Sequence, residues 1–289
     1  MQLMDFKKYL ENKINIIDKA LDEYLPSEEK SPSIIHKAMR YSVFGGGKRI
    51  RPILTLATAE LFGKNDESVI KTACGIELIH TFSLIHDDLP CIDNDDFRRG
   101  KPSNHKVFGE AIAVLAGDAL LVSGLDLIIK NSEVKGIKKQ SILKLLKEIT
   151  FYVGTENMLG GQVEDIVLKN EDIEKIELTN LYMKKTAALI CISIRAGAIL
   201  SEANQKQLEA LNKYGENIGL AFQIIDDMLD IMQDQRDLKN PNYANKYGIK
   251  ESQSESERLI KEAKDSLKIF NHKAETLRSL ADYLLTRKR

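Results

Sequence analysis

Residues 83–100 read SLIHDDLPCIDNDDFRRG, and residues 222–231 read FQIIDDMLDI. In each stretch, a pair of adjacent aspartates follows a run of apolar residues. Neighbouring carboxylates repel one another, and burying one without a partner costs on the order of several kcal/mol. Two such pairs therefore indicate that the aspartates hold something positively charged.

The sequence around these two stretches has a helical period. Phe6, Leu10, Ile14, Ile17 and Leu21 recur every three or four residues, as on one face of an amphipathic helix. The same period runs through residues 66–89, 109–130, 137–159, 172–200, 204–232 and 253–286.

The domain organisation follows from this period. No stretch alternates apolar and polar residues between turn signals, so no strand is predicted, and no Gly/Ser-rich linker divides the chain. We therefore expect an all-α fold, in which residues 1–289 form a single bundle of about ten helices. Bundles of this kind build their sites in a central cavity between facing helices.

Composition excludes several classes of protein. Lys and Arg total 42 and Asp and Glu total 43, a net charge of −1, so no global charge attracts nucleic acid or an anionic membrane. Cys74, Cys91 and Cys191 show no zinc spacing and suit a reducing compartment. Residues 111–129 are nearly long enough to span a membrane, but two aspartates interrupt them. With no secretory signal at the N-terminus, we expect a cytoplasmic protein without stable membrane insertion.

The second aspartate stretch lies on a predicted helix. Asp226 and Asp230 are four residues apart and share a face, and Asp227 precedes Asp230 by three. Oxygen-only ligands suit a hard cation such as Mg²⁺. The alternative is a solvated acidic helix end.

The first aspartate stretch has a different shape. Asp87 and Asp88 end a helix, and Pro90 prevents its continuation, so a turn can return Asp93 to the side of Asp87. The cations of FRRGK (97–101) follow at once and form a natural clamp for an anion beside a bound metal. An ordinary acidic loop is the alternative.

A second anion site is predicted in FGGGKRIRP (44–52). Glycines let the backbone approach an anion closely, and Lys48, Arg49 and Arg51 supply cations. Taken alone, this is also what a basic turn between helices looks like. Together with two metal-binding stretches, it indicates a substrate that carries a diphosphate, which metals convert into a leaving group.

These stretches together resemble the trans-isoprenyl diphosphate synthase family, and within it the bacterial farnesyl diphosphate synthases. The resemblance covers roughly residues 38–231, in the family's order, in AMRYSVFGGGKRIRP, IELIHTFSLIHDDLPCIDNDDFRRGKPSNHKVFGEAIAVLAGDAL, GGQVEDI, MKKTAALI and GLAFQIIDDMLDI. It implies an isoprenoid-synthase bundle, usually a homodimer. It also implies three Mg²⁺ per site, replaceable by Mn²⁺, and isopentenyl diphosphate and an allylic diphosphate as substrates.

The resemblance also implies residue roles. The metal ligands would be Asp87, Asp88, Asp93, Asp226, Asp227 and Asp230. The allylic diphosphate would be held by Arg98, Lys185, Thr186 and Gln223. Isopentenyl diphosphate would be held by Lys48, Arg51, His80 and Arg99. The catalytic set would be Asp87, Asp88, Asp93, Arg98, Lys185, Asp226 and Asp227. Gln162 and Asp165 would lie near the substrate. Without the resemblance, His80 would be interpreted as a core histidine.

The sequence departs from the family pattern after Asp230. The loop that follows is shorter than the family's, and Asn240 falls where a lysine would reach the allylic diphosphate. Lys239 is the candidate for that role.

The implied reaction is ionisation of the allylic diphosphate, condensation with isopentenyl diphosphate and elimination of a proton. Phe82 lies five residues before Asp87, about 7.5 Å back along the helix at roughly 1.5 Å per residue, where its ring could floor the cavity. Plain core packing is the alternative for this ring. By resemblance we expect farnesyl diphosphate as the product, with geranylgeranyl diphosphate as the alternative.

Three other functions compete with this interpretation. A terpene cyclase usually carries Asn, Ser or Glu in its second motif and lacks GGGKRIRP. In a helical phosphohydrolase, His86 and Asp87 would bind a metal together, but the other four histidines show no matching ligand spacing. A catalytically inactive partner subunit would be expected to lose the aspartates that this chain keeps.

Overall fold

A computed structural model describes residues 3–168, 173–233 and 242–286. These residues are almost entirely α-helical, which confirms the predicted fold class. Thirteen α-helices lie in the described ranges: α1 Leu3–Tyr24, α2 Ser33–Val43, α3 Ile50–Leu61, α4 Ile70–Asp87, α5 Asn104–Phe108, α6 Glu110–Lys130, α7 Lys139–Val153, α8 Met158–Val167, α9 Lys175–Tyr182, α10 Ala188–Leu200, α11 Gln205–Gln233, α12 Tyr243–Ser266 and α13 Glu275–Thr286.

Short elements join these helices. A π-helical turn lies at Met183–Ala187, and 3₁₀ turns lie at Asp66–Ser68, Asn131–Glu133 and Leu267–Ala274. Two strands, β1 Phe97–Arg98 and β2 Lys101–Pro102, pair antiparallel with Phe97 opposite Pro102. The sequence predicted no strand because a two-residue strand is too short to show an alternating pattern.

Helix α4 carries the first aspartate pair out of the core. It packs against α6 so closely that a Cβ on Gly75 would lie 2.5 Å from the carbonyl oxygen of Gly124. Its residues from Thr72 to Phe82 are buried on every side, as expected of a helix that is apolar all round. The core therefore fixes α4 rigidly up to the point where Asp87 meets the site.

Helices α9 and α10 are joined by the π-helical turn without a break in the chain. An extra residue in a helical turn is uncommon and is found most often at functional sites. Here the turn contains Lys184, Lys185 and Thr186. It changes the direction in which these side chains leave the helix.

Helix α6 is apolar on two sides. The segment Glu110–Glu133 is long and apolar enough to cross a membrane, a test that core helices of soluble proteins also pass. Its inner side is buried against α4, but Leu115, Val122 and Ile129 are exposed at a spacing of seven residues. These three residues, here called the α6 stripe, form one outward-facing line.

Candidate active site

A cavity of about 1280 Å³ lies between the two aspartate stretches and the glycine turn. Most residues predicted to bind substrate or metal line it: Lys48, Arg51, His80, Phe82, Asp87, Arg98, Arg99, Lys185, Thr186, Gln223 and Asp226. The cavity wall also contains apolar side chains: Leu84, Ile92, Met158, Leu159, Leu189, Phe222 and Leu229. Residues that were grouped from sequence alone therefore line one cavity.

The turn predicted after Asp87 is present. The backbone N–H of Asp93 donates to the carbonyl oxygen of Asp87 at 3.0 Å, and that of Asn94 donates to Leu89 at 3.0 Å. Asn94 adopts a left-handed conformation with φ of 56°, which asparagine tolerates better than most residues. The loop thus folds back and places two aspartates of the first stretch next to one another.

Asp88 is held by Arg98 and is not among the residues that line this cavity. It is buried, and its Oδ1 accepts hydrogen bonds from Arg98, at 2.8 Å from Nε and also from Nη2. Arg98 Nη2 also lies 3.0 Å from Asp95 Oδ2. In this arrangement Asp88 orients the Arg98 side chain at the edge of the cavity.

The chemistry of the donors fits a hard divalent cation. Burial raises the pKa of Asp87 to about 6; Lys185 opposes this shift, and Asp93 adds to it. A bound cation would relieve the crowding of like charges that contributes to the shift. In the described ranges, no three His, Cys, Asp or Glu side chains converge on one point as a closed metal cage. Mg²⁺ commonly takes one or two carboxylates together with substrate phosphates, so Asp87 and Asp226 suit it as cavity-facing ligands.

The second aspartate stretch divides in the same way as the first. Asp226 lines the cavity, whereas Asp227 is buried at 4 % exposure. Asp227 accepts hydrogen bonds from Tyr182 Oη at 2.5 Å, from the backbone N–H of Tyr243 at 2.9 Å and from Gln223 Nε2 at 3.0 Å. Burial raises the pKa of Asp227 to about 6, although these three hydrogen bonds act to lower it. Asp227 therefore ties α9 and the start of α12 to α11.

The π-helical turn presents its polar side chains to the cavity. Lys185 Nζ lies 2.6 Å from Asp165 Oδ2 on α8, and Thr186 Oγ1 donates to Gln223 Oε1 at 2.8 Å. Gln162, also on α8, lines the cavity with a buried Nε2 that has no hydrogen-bond partner within the described residues. These contacts bring together the residues expected around the allylic diphosphate.

The glycine turn supports an arginine. Gly46 and Gly47 have φ of 110° and 125°, and Arg99 Nη1 donates to the carbonyl oxygen of Gly46. A Cβ on Gly47 would lie 2.6 Å from Arg99 Nη1. The glycines were expected to let the backbone approach an anion, and in the structure they make room for the Arg99 guanidinium.

His80 lies beside Arg51 in the cavity wall. Its Nε2 is 3.1 Å from Arg51 Nη1, so the neutral ring can accept a hydrogen bond from the guanidinium. Burial, and then the charges of Arg51 and Arg99, hold the pKa of His80 well below its ordinary value. His80 is thus both a buried histidine and a cavity residue.

Arg49 differs from the prediction that grouped it with Lys48 and Arg51 as an anion ligand. It is buried at 4 % exposure, and its guanidinium is paired with Asp18 and Glu77. Glu77 was not predicted, although a lone acidic residue within the apolar run GIELIH was a signal for a buried ion pair. Tyr182 and Tyr243 were not predicted either, because no local pattern relates them to Asp227.

Phe82 is buried at 4 % exposure and lines the cavity. Its ring packs edge-to-face on His86, with 5.0 Å between the ring centroids. His86 Nε2 lies 3.1 Å from the carbonyl oxygen of Val114. This contact occupies the nitrogen, whereas a histidine in the metal pair of a phosphohydrolase would use such a nitrogen to bind the metal. The proposed loop residue, Lys239, lies outside the described residues.

Comparison with known proteins finds relatives of this chain. The family model for polyprenyl synthetase matches residues 32–244. A farnesyl diphosphate synthase from Bacillus subtilis is 45 % identical over 231 residues, covering 79 % of this chain and 74 % of the relative. A chloroplastic geranylgeranyl pyrophosphate synthase from Catharanthus roseus is 41 % identical over 98 % of this chain and 82 % of its own.

Solved structures agree with the sequence relatives. The crystal structure of an FPP/GFPP synthase from Zymomonas mobilis superimposes with a TM-score of 0.90 at 35 % identity, covering 98 % of this chain and all of the other. This match extends over the whole bundle that surrounds the cavity. The chain therefore belongs to the polyprenyl synthetase family and is an enzyme of the prenyltransferase type.

Proposed function

We propose that this prenyltransferase joins isopentenyl diphosphate to dimethylallyl or geranyl diphosphate and that farnesyl diphosphate is its main product. The observation that supports this proposal is a single cavity lined both by carboxylates and by cations, to which we assign two sides that each bind one diphosphate. Asp87, Asp226 and Lys185 lie on one side, which suits a metal-bound diphosphate. Arg51 and Arg99 lie on the other, which suits a diphosphate held without metal.

Each side has a different part in the reaction. Mg²⁺, or Mn²⁺ in its place, would neutralise the allylic diphosphate and make it a better leaving group. Lys185 and Arg98 donate hydrogen bonds to this diphosphate as its negative charge grows during ionisation. Arg51 and Arg99 hold isopentenyl diphosphate so that its double bond can attack the allylic carbon. The apolar wall formed by Leu189 and other residues excludes water from the carbocation.

Within each aspartate pair, we assign the cavity-facing residue to the metal and the buried residue to a supporting role. Asp87, Asp93, Asp226 and Asp230 would hold the metal ions, of which the family resemblance implies three. Asp88 would act by orienting Arg98, to which it is hydrogen-bonded. Asp227 would act by fixing Gln223 and the start of α12.

The fifteen-carbon product rests on Phe82. The ring lines the cavity and is supported by His86, so it can limit how far the growing chain extends from Asp87. The relative from Bacillus subtilis, named a farnesyl diphosphate synthase, supports this length. The relative from Catharanthus roseus, named a geranylgeranyl pyrophosphate synthase, supports twenty carbons as the second candidate.

We also propose a cytoplasmic homodimer without membrane insertion, with residues 1–289 as one domain. The α6 stripe supports the dimer, since an exposed apolar line on a helix can pair with the same line on a second copy. Light scattering after gel filtration should give twice the mass of 32.6 kDa. A monomer with unchanged activity would contradict the dimer alone.

The experiment that tests the product is analysis of chain length. Purified protein is incubated with isopentenyl diphosphate, one allylic diphosphate at a time and Mg²⁺, the products are dephosphorylated with a phosphatase, and the resulting alcohols are extracted and separated. Farnesol from both dimethylallyl and geranyl diphosphate is the expected result. Geranylgeraniol as the main product would replace the fifteen-carbon proposal with the second candidate.

A further inference from the structure

We infer that Arg49 is the positioning residue that sets Lys48 and Arg51 for isopentenyl diphosphate. The inference rests on the proposed function, because it assumes that the glycine-turn side of the cavity binds this substrate. Arg49 itself makes no proposed contact with substrate. Its effect is on the backbone from which its two neighbours extend.

Each nitrogen of the Arg49 guanidinium is bound within the protein. Nε donates to Asp18 Oδ1 at 2.8 Å, and Nη1 donates to Glu77 Oε1 at 2.8 Å. Nη2 donates to the carbonyl oxygen of Val43 at 2.7 Å. One side chain thus joins α1, α4 and the end of α2.

The Arg49 backbone is held in an uncommon conformation. Its φ of 52° and ψ of 32° are left-handed, a conformation that is unfavourable for a residue with a Cβ. Such a conformation persists only where the surroundings impose it, and it is found most often at functional sites. Here the three hydrogen bonds of the guanidinium impose it.

The conformation of Arg49 affects Lys48 and Arg51 because residue 49 lies between them in the chain. Residue 49 is the N-cap of α3, between the glycine turn and the helix, and its carbonyl oxygen accepts the first helical hydrogen bond, from Ile53 at 3.0 Å. Lys48 precedes it directly and Arg51 lies in the first turn of α3. The φ and ψ of residue 49 therefore decide whether these two cations reach the same side of the cavity.

Arg49 and Arg51 differ in the groups that surround their charges. The two carboxylate partners of Arg49, Asp18 and Glu77, lie 2.8 Å from its nitrogens and neutralise it. Arg51 Nη1 instead lies 3.1 Å from Nε2 of His80 in the cavity wall. The two arginines of the cluster therefore have different surroundings, a pair of carboxylates for Arg49 and a histidine ring for Arg51.

The test separates positioning from plain structural support. Arg49→Lys keeps the charge, but lysine cannot direct three hydrogen bonds to the same partners. We expect KM for isopentenyl diphosphate to rise roughly tenfold, the equivalent of one lost charge-assisted contact. KM for the allylic diphosphate and kcat should change less than about twofold.

A second variant keeps the test valid if Arg49→Lys does not fold. Asp18→Asn removes the negative charge of one partner on α1 while keeping an acceptor oxygen, and it should raise the same KM by a smaller factor. The matched control is Asp22→Asn, one turn further along α1, which breaks the ion pair with Arg40 instead. Calorimetric titration of each variant with isopentenyl diphosphate provides an affinity that does not depend on turnover.

The outcomes are distinct. A weaker affinity for isopentenyl diphosphate alone, in Arg49→Lys and Asp18→Asn but not in the control, supports the inference. An equal rise of both KM values, or a lower Tm with both KM values unchanged, overturns it and leaves Arg49 a structural residue. Wild-type protein that neither binds isopentenyl diphosphate nor turns it over would overturn the proposed function instead.

Discussion

The backbone N–H of Asp93 lies 3.0 Å from the carbonyl oxygen of Asp87, so residues 87–93 form a closed turn at the end of α4. The turn brings Asp93 back beside Asp87, the last residue of α4. Asp226, on α11, lines the same cavity as Asp87. This pairing of a turn with a helix is the basis of the proposed metal binding.

Removing either cavity-facing carboxylate should abolish most activity. We expect Asp87→Ala and Asp226→Ala each to lower kcat roughly 10²–10³-fold, because each would remove a ligand of the ion that stabilises the leaving group. Steady-state assays across a range of Mg²⁺ concentrations measure the effect. Asp96→Asn is the control, since Asp96 is exposed and paired with Lys106. Full wild-type turnover in excess EDTA would contradict the metal dependence.

Asp227→Asn should behave differently from Asp226→Asn. The buried Asp227 carboxylate accepts three hydrogen bonds, and the amide can no longer accept all of them, so unfolding free energy should fall by about 1–3 kcal/mol. Urea denaturation measures this loss. The Mg²⁺ concentration for half-maximal activity should stay near the wild-type value in Asp227→Asn and rise in Asp226→Asn. A large rise in both variants would make Asp227 a direct ligand.

Gly47→Ala should disturb Arg99. A Cβ at this position would lie 2.6 Å from Arg99 Nη1 and would require a left-handed φ of 125°. We expect KM for isopentenyl diphosphate to rise roughly tenfold as one cation is displaced.

The control for this change is Gly63→Ala. Gly63 also has a positive φ, of 79°, but a Cβ there would meet no atom within 4 Å. It therefore reproduces the backbone strain without the contact. An equal rise in KM for isopentenyl diphosphate in both variants would show that backbone strain alone, and not displacement of Arg99, causes the effect.

His80 should reduce stability at acid pH. Because its pKa is held below the unfolded value of about 6.5, the unfolded chain binds a proton more readily, and stability falls as pH decreases below that value. This contributes a slope of on the order of 1.4 kcal/mol per pH unit, which His80→Gln should remove while keeping an acceptor for Arg51. Urea denaturation between pH 5 and 7.5 measures the slope. His272→Gln, which alters an exposed histidine, is the control, and an unchanged slope in His80→Gln would refute the burial argument.

Phe82→Ala should lengthen the product. Removing the ring opens the cavity beneath Asp87, so we expect a shift from fifteen carbons to twenty or more. Chain-length analysis of extracted alcohols gives the distribution. Phe62→Ala removes an aromatic ring that packs on Phe270 instead, and it should leave the distribution unchanged. A Phe82→Ala enzyme that still stops at fifteen carbons would mean that another residue is the floor.

Local pattern was enough to predict the helices and most of the cavity wall. The 3.6-residue period of α4 and α11 ends each apolar run at an aspartate pair, and Pro90 signals the turn that returns Asp93. Helical spacing could not predict the burial and the hydrogen bonds of Asp88 and Asp227. Each lies next to a cavity-facing aspartate in sequence but about 100° away around the helix, and its partner comes from elsewhere in the fold.

The assignment of Arg49 failed for a related reason. In sequence it is one of three cations after a glycine turn, and nothing in that pattern separates it from Arg51. Its two partners lie 31 and 28 residues away on other helices. Long-range pairing of charges is decided by packing, so it becomes visible only when the helices are in place.

The central claim is that one cavity binds isopentenyl diphosphate and an allylic diphosphate and joins their hydrocarbon parts. Its most direct test is the stoichiometry of the reaction of geranyl diphosphate with labelled isopentenyl diphosphate and Mg²⁺. The account predicts one inorganic diphosphate released for each isopentenyl unit that enters a longer prenyl diphosphate, and no release when isopentenyl diphosphate is supplied alone. Orthophosphate as the main product, or release of diphosphate from geranyl diphosphate without incorporation of the label, would contradict it.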